Sequence, residues 1–159
     1  MNIEQEMGIN MERLKIGSWI IEVDNSKTQA FYEKQPLITE EWDSDFEQNY
    51  VLACETFPKE VNDFFHSLGV DPRKQGEVNQ YKENNDGTYI YGGFYFIVGN
   101  IISGPDFWVN TVEGLTPNFE TVNGIQIAFT NELAMTPDEE LPKPVIQLEF
   151  QLNVPWLLN

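Results

Sequence analysis

Val145-Ile146-Gln147-Leu148-Glu149-Phe150-Gln151-Leu152-Asn153-Val154 is the stretch that decides the fold class. Ile146, Leu148, Phe150, Leu152 and Val154 alternate with Val145, Gln147, Glu149, Gln151 and Asn153. A period of two puts one set on a dry face and the other on a wet one, which is the pattern of a strand in an antiparallel sheet. Upstream, Asn123-Gly124 is a turn that introduces Ile125 to Thr130, where Ile125, Ile127 and Phe129 share a face. Phe107 to Val112, after Pro105, is a further candidate strand. Tyr89 to Val98 reads as a long one, with Gly92-Gly93 marking a bulge or a close backbone approach. Asn84-Asn85-Asp86-Gly87 is a hairpin turn, because Asn, Asp and Gly tolerate positive φ, and it joins Tyr89 to the loosely alternating Glu77 to Glu83.

The period changes before residue 76. Trp42, Phe46, Tyr50, Ala53, Cys54 and Phe57 recur at spacings of three and four, one face of a helix that starts at Thr39 or at Ser44, where Glu47 completes a capping box. Phe57, Val61, Phe64, Phe65 and Leu68 form a second stripe, with Thr56 as cap, Pro58 in the first turn, and Gly69 and Pro72 closing it. Earlier still, Ile16 to Val23 reads as a strand, Asp24-Asn25-Ser26 as a turn, and Ala30-Phe31-Tyr32 as a short second strand. Helices and strands are segregated rather than alternating. The expected class is α+β, a mostly antiparallel sheet with two helices from the N-terminal half packed on one side. No linker or repeat divides residues 1–159, so one domain is expected.

Twenty-six Asp and Glu stand against nine Lys and Arg in 159 residues, a formal charge of −17. Nucleic acid is excluded as a partner, since neutralising phosphates takes clustered cations and Lys143 is the only one after Lys82. An anionic membrane surface is disfavoured by the same sign. The apolar content of 41% and the aromatic content of 13% nevertheless predict a folded domain. One cysteine permits no intrachain disulfide, and Met1 to Arg13 has no basic region followed by an apolar run; both predict a cytoplasmic protein. The longest apolar stretch, Tyr89 to Ile102, is broken by glycines and too short to span a bilayer.

Catalytic constellations are hard to assemble from these residues. A triad needs an imidazole base, and the only histidine, His66, lies off the apolar stripe of its helix, as a surface residue does. Cys54 is on the apolar face. Zinc would need several Cys and His ligands and finds one of each. Asp43, Asp45 and Glu47 approach a calcium loop, but Gln48 stands where that loop requires Gly. The glycines lack phosphate-binding spacing, so no cofactor is expected. Carboxylates remain. Glu40, Glu41, Asp43, Asp45 and Glu47 surround Trp42, and a rim of charge around an aromatic anchor suits a basic protein partner; the alternative is a solvated helix face with Trp42 turned inward. Asp138, Glu139 and Glu140 form a second acidic run between Pro137 and Pro142.

Three segments carry a likeness to a known group: Phe64-Phe65-His66-Ser67-Leu68-Gly69-Val70-Asp71-Pro72, then Asp86-Gly87-Thr88-Tyr89-Ile90-Tyr91-Gly92-Gly93-Phe94-Tyr95-Phe96-Ile97-Val98-Gly99, and the ending Val145 to Phe150 with Pro155-Trp156. Together they resemble small acidic bacterial immunity proteins, encoded beside polymorphic toxins. The resemblance implies a cytoplasmic, non-enzymatic inhibitor that binds a cognate toxin domain, basic and possibly a nuclease, and occludes its active site. Two other classes stay open: a phage or mobile-element protein that mimics nucleic acid to inhibit a defence enzyme, and a small carboxylate-dependent enzyme or ligand-binding domain.

Overall fold

The computed structural model describes residues 11–74 and 76–159. Most of the acidic N-terminal stretch, and with it the signal-peptide reading, lies outside them. The chain opens with a hairpin of β1 (Glu12–Ile16) and β2 (Trp19–Val23), followed by α1 (Asn25–Glu33), α2 (Ile38–Glu41), α3 (Asp45–Cys54) and α4 (Lys59–Leu68). Strands β3 (Glu77–Glu83), β4 (Thr88–Ser103), β5 (Trp108–Thr111), β6 (Gly114–Pro117), β7 (Glu120–Val122), β8 (Ile125–Thr130) and β9 (Val145–Pro155) follow. Seven strands make one antiparallel sheet in the order β1-β2-β4-β9-β8-β7, with β3 also on β4; β5 and β6 form a separate hairpin. The class is α+β, as the alternation in β9 predicts.

Three local expectations are corrected. Ile16 to Val23 is two strands, because the chain reverses at Gly17-Ser18 and pairs Ile16 with Trp19. Asp24 is not a turn residue but the N-cap of α1: its Oδ1 accepts the Lys27 N–H at 3.0 Å, and Ala30 to Tyr32 is therefore helical. The described residues hold four helices rather than two, since α1 and the single turn α2 join the two expected ones. The Ser44 capping box does not form, as the Ser44 side chain makes no cap hydrogen bond. Likewise Pro58, not Thr56, precedes α4; the Thr56 hydroxyl donates instead to the Ala53 carbonyl at the end of α3.

The sixteen-residue β4 organises the sheet. One edge pairs with β9 along eleven positions, Thr88↔Pro155 to Val98↔Val145. The other edge is shared by β3, against residues 89–94, and β2, against residues 99–103. Between these partners the edge is completed by α1. Thr28 Oγ1 accepts the Val98 N–H at 3.1 Å, Asp24 N–H donates to the Val98 carbonyl at 2.8 Å, and the Tyr32 hydroxyl donates to the Phe96 carbonyl at 2.8 Å. All of these groups are buried, so each bond removes an unpaired polar group from the core. Glycine sits where the two neighbouring strands close in. A Cβ on Gly93 would overlap the Glu77 carbonyl oxygen, and one on Gly99 the Glu22 carbonyl oxygen.

Tyrosines on the helix-covered face of β4 fix the helices to it. The Tyr91 hydroxyl donates to the Phe46 carbonyl in α3 at 2.8 Å. The Tyr95 hydroxyl donates to the Pro72 carbonyl at 2.7 Å, so in its 2.6 Å contact with Tyr50 it accepts. Tyr95 also stacks on Phe150 at 5.2 Å and meets Phe65 edge-on at 5.6 Å, tying β9 and α4 into the same cluster. Asn49 of α3 holds the C-terminal tail, donating to the Pro155 carbonyl and accepting the Leu157 N–H.

Thr28→Val keeps the volume and deletes the acceptor for Val98. It is expected to cost about 1–3 kcal/mol, read as a lower denaturant midpoint with an unchanged slope, while Thr28→Ser recovers most of the loss. Gly93→Ala is expected to cost more than about 3 kcal/mol or to prevent folding, because the obstacle is backbone rather than a movable side chain.

Candidate functional site

The acidic run that surrounds Trp42 straddles the junction of α2 and α3. Ile38 N–H donates to the Arg73 carbonyl and Trp42 N–H to the Ile38 carbonyl, which ends α2 after one turn and turns the indole away from the body. Trp42 is 65% exposed, so it is no part of the buried helical face; nor is Phe46, at 43%, whereas Tyr50, Ala53 and Cys54 of the same spacing are buried. The reason is that Trp42 precedes α3, and the 3.6-residue period does not carry across the break at Asp43-Ser44.

Glu40, Glu41, Asp43 and Asp45 are exposed around it. Glu40 Oε2 accepts the Leu37 N–H at 2.8 Å, and Asp43 Oδ1 accepts from the Gln48 side chain at 2.7 Å, which orders two of the four. Among the described residues no Lys or Arg forms an ion pair with any of them. Glu47 differs: it is half-buried, and its shielded Oε2 has no hydrogen-bond partner among the described residues. Beside this rim lies an aromatic cluster that the spacing does not reveal. Phe46, Tyr89 and Trp156 meet with ring centroids 5.0 to 6.4 Å apart, at the end of β9 where Thr88 pairs Pro155.

Asp138, Glu139 and Glu140 are exposed in the loop between β8 and β9, where Asp138 Oδ1 accepts the Glu140 N–H. That loop is anchored at the start of β9, through Ala134 N–H to Gln147 Oε1 and Gly99 N–H to the Pro144 carbonyl. Phe46 and Trp156 mark the other end of the same strand. The two acidic runs therefore belong to different ends of the sheet, and the structure does not bring them together.

A groove of about 680 Å³ runs between α1, α3, α4 and the segment after α4, with Tyr32, Cys54 and Phe65 in its floor and His66, Asp71 and Arg73 in its wall. His66 is exposed, and Cys54 is buried with its thiol pushed well above the ordinary range by desolvation, so it is held as the neutral thiol. Partial burial works against the Asp71 carboxylate, but hydrogen bonds from the Arg73 side chain and backbone, at 2.9 to 3.1 Å, outweigh it and keep its pKa below the usual value. Arg73 also reaches Glu55 at 3.6 Å. The groove thus holds a paired, ionised carboxylate rather than a protonated one. Among the described residues no three Asp, Glu, His or Cys converge as a metal site requires, and no helix is long and apolar enough to cross a membrane.

The carboxyl with a raised pKa is elsewhere. Glu149, half-buried on β9, is pushed up first by desolvation and then by Glu77, against a hydrogen bond from Gln147. A carboxyl raised in the folded state contributes stability that is fully present below its unfolded pKa and is lost as pH rises through the folded one. Glu149→Gln is therefore expected to raise the thermal midpoint at pH 7, with the advantage vanishing below about pH 4, measured as melting curves of both proteins across that range. Compared with models of protein families, with curated proteins and with solved structures, the chain matches none.

Proposed function

We propose that the protein is a non-enzymatic immunity protein, which neutralises a cognate basic toxin domain by covering its active site with the Trp42 surface. The observation that carries this reading is the exposed indole of Trp42 among four exposed carboxylates that no described cation neutralises. Such a surface combines the two elements of a tight heterologous contact: an aromatic to fill a pocket, and like charges that steer an oppositely charged partner into place. The chain's charge of −17 extends the steering field beyond the patch. The ordering of Glu40 and Asp43 by neighbouring donors lowers the entropy lost on docking. An enzymatic reading finds less support, since the carboxylate in the groove wall is bound by Arg73 and the cysteine in its floor is a neutral thiol.

The test is calorimetric titration of the chain with the toxin domain encoded beside it, together with growth rescue on co-expression. Binding is expected to weaken steeply between about 50 and 500 mM salt, because the attraction is between exposed charges. Trp42→Ala should weaken it by roughly 30-fold or more, as for a central aromatic anchor. No complex, an affinity indifferent to salt, or an unchanged affinity for Trp42→Ala would count against the proposal.

A further inference from the structure

The hairpin of β5 and β6 pairs with no other strand among the described residues. A lone two-stranded hairpin is marginal in water. This one is secured at its base, where Phe107 and Phe119 pack against the core and the Asn118 N–H donates to the Phe107 carbonyl at 2.6 Å. Beyond the base it exposes Trp108 (47%), Val109, Leu115 (64%) and the tip residue Val112. Between Phe107 and Phe119 the only charged residue is Glu113, in a chain of net charge −17.

Its two outer edges are unequal. In an antiparallel pair, positions that exchange hydrogen bonds alternate with positions whose N–H and C=O point away from the partner. The Asn118–Phe107 bond sets the phase: Val109 with Thr116 and Thr111 with Gly114 exchange bonds, while Trp108 with Pro117 and Asn110 with Leu115 point outward. On the β6 side Pro117 has no N–H to offer. On the β5 side Trp108 and Asn110 each present one donor and one acceptor, free of any backbone partner among the described residues. The other open edges carry charges that discourage pairing: Glu12, Arg13 and Lys15 on β1, Glu77, Lys82 and Glu83 on β3, Glu120 on β7. Strand β5 has none.

We propose that β5 is a self-association edge, on which two copies of this chain pair β5 to β5, antiparallel, about a two-fold axis through Val109. Trp108 of each copy then faces Asn110 of the other, four hydrogen bonds form, and the two hairpins become one four-stranded sheet. Charge selects a second copy as the occupant. Two chains of −17 repel each other over most of their surface and can approach across the charge-poor hairpin, whereas a basic partner finds only Glu113 there to pair with. The contact buries roughly 1,000 Å² in total, the lower limit for a specific interface, so association is expected at tens to hundreds of micromolar.

Sedimentation equilibrium from about 5 µM to about 1 mM should show the 18.4 kDa chain moving toward twice that mass, with more dimer at about 500 mM salt than at 50 mM because salt screens the repulsion. That salt dependence is opposite in sign to the one expected for toxin binding, and the result is independent of the proposed function. Asn110→Pro deletes an outward N–H but no β5–β6 bond, and should weaken dimerisation at least tenfold with an unchanged thermal midpoint. Val109→Cys, at the axis, should form an intermolecular disulfide on mild oxidation, and Val112→Cys at the tip should not; Cys54 is buried and takes no part. This comparison decides the matter should Asn110→Pro fail to fold. A monomer at 1 mM, undiminished association of Asn110→Pro, or equal cross-linking at the two positions would overturn the proposal.

Discussion

Everything in this fold hangs on one edge of β4 being divided among three partners. A sixteen-residue strand needs hydrogen bonds on both sides for most of its length, and no single neighbour runs its full course on the side away from β9. β3 takes the first part and β2 the last. Thr28 and Tyr32, one turn apart on α1, take the two carbonyls and the amide left between them, together with the Asp24 backbone. A helix that supplies sheet hydrogen bonds from its side chains cannot rotate or slide without unpairing buried groups. That fixes α1, and α1 in turn positions α4, whose final carbonyls, of His66 and Ser67, accept from Asn25.

The parts that announce themselves in the sequence are those where burial alone dictates the pattern. β9 alternates because one face is covered by helices, and α4 shows its stripe because one side of it is core. The turns at Asn84–Gly87 and Asn123-Gly124 are legible because positive φ restricts the residues that fit. α1 is illegible for the opposite reason. Its inward residues include Thr28 and Tyr32, which are buried to make hydrogen bonds, so Asn25 to Glu33 shows no apolar stripe and Asp24 reads as well as a turn as it does as a cap. Gly92-Gly93 marks a close approach and not a bulge: the register between β4 and β9 is unbroken there, and the irregularity falls opposite, in β3 between Gln80 and Lys82.

The candidate site was legible in composition but not in shape. Carboxylates crowd around Trp42 in the sequence and do so on the surface, yet the helical spacing also suggested an inward indole, and only the break between α2 and α3 decides the matter. Asp138 to Glu140 shares the charge without sharing the place. The neighbouring cluster of Phe46, Tyr89 and Trp156 unites three distant segments, a proximity created by the β4–β9 pairing that no local pattern encodes. Acidity and exposed apolar surface are thus kept apart on this molecule, one around α2 and α3, the other on the β5–β6 hairpin. The two surfaces respond to salt in opposite directions, as expected where one attracts an unlike charge and the other must tolerate a like one.

Native-state hydrogen exchange on β4 reaches the central claim most directly. Alternation along the strand turns the amides of Tyr95 and Ile97 toward β9 and that of Val98 toward Thr28. If α1 completes the sheet, the Val98 amide will exchange with the same opening free energy as Tyr95 and Ile97, at or near that of global unfolding. Exchange of Val98 at the rate of an exposed loop amide, while Tyr95 and Ile97 remain protected, would contradict it.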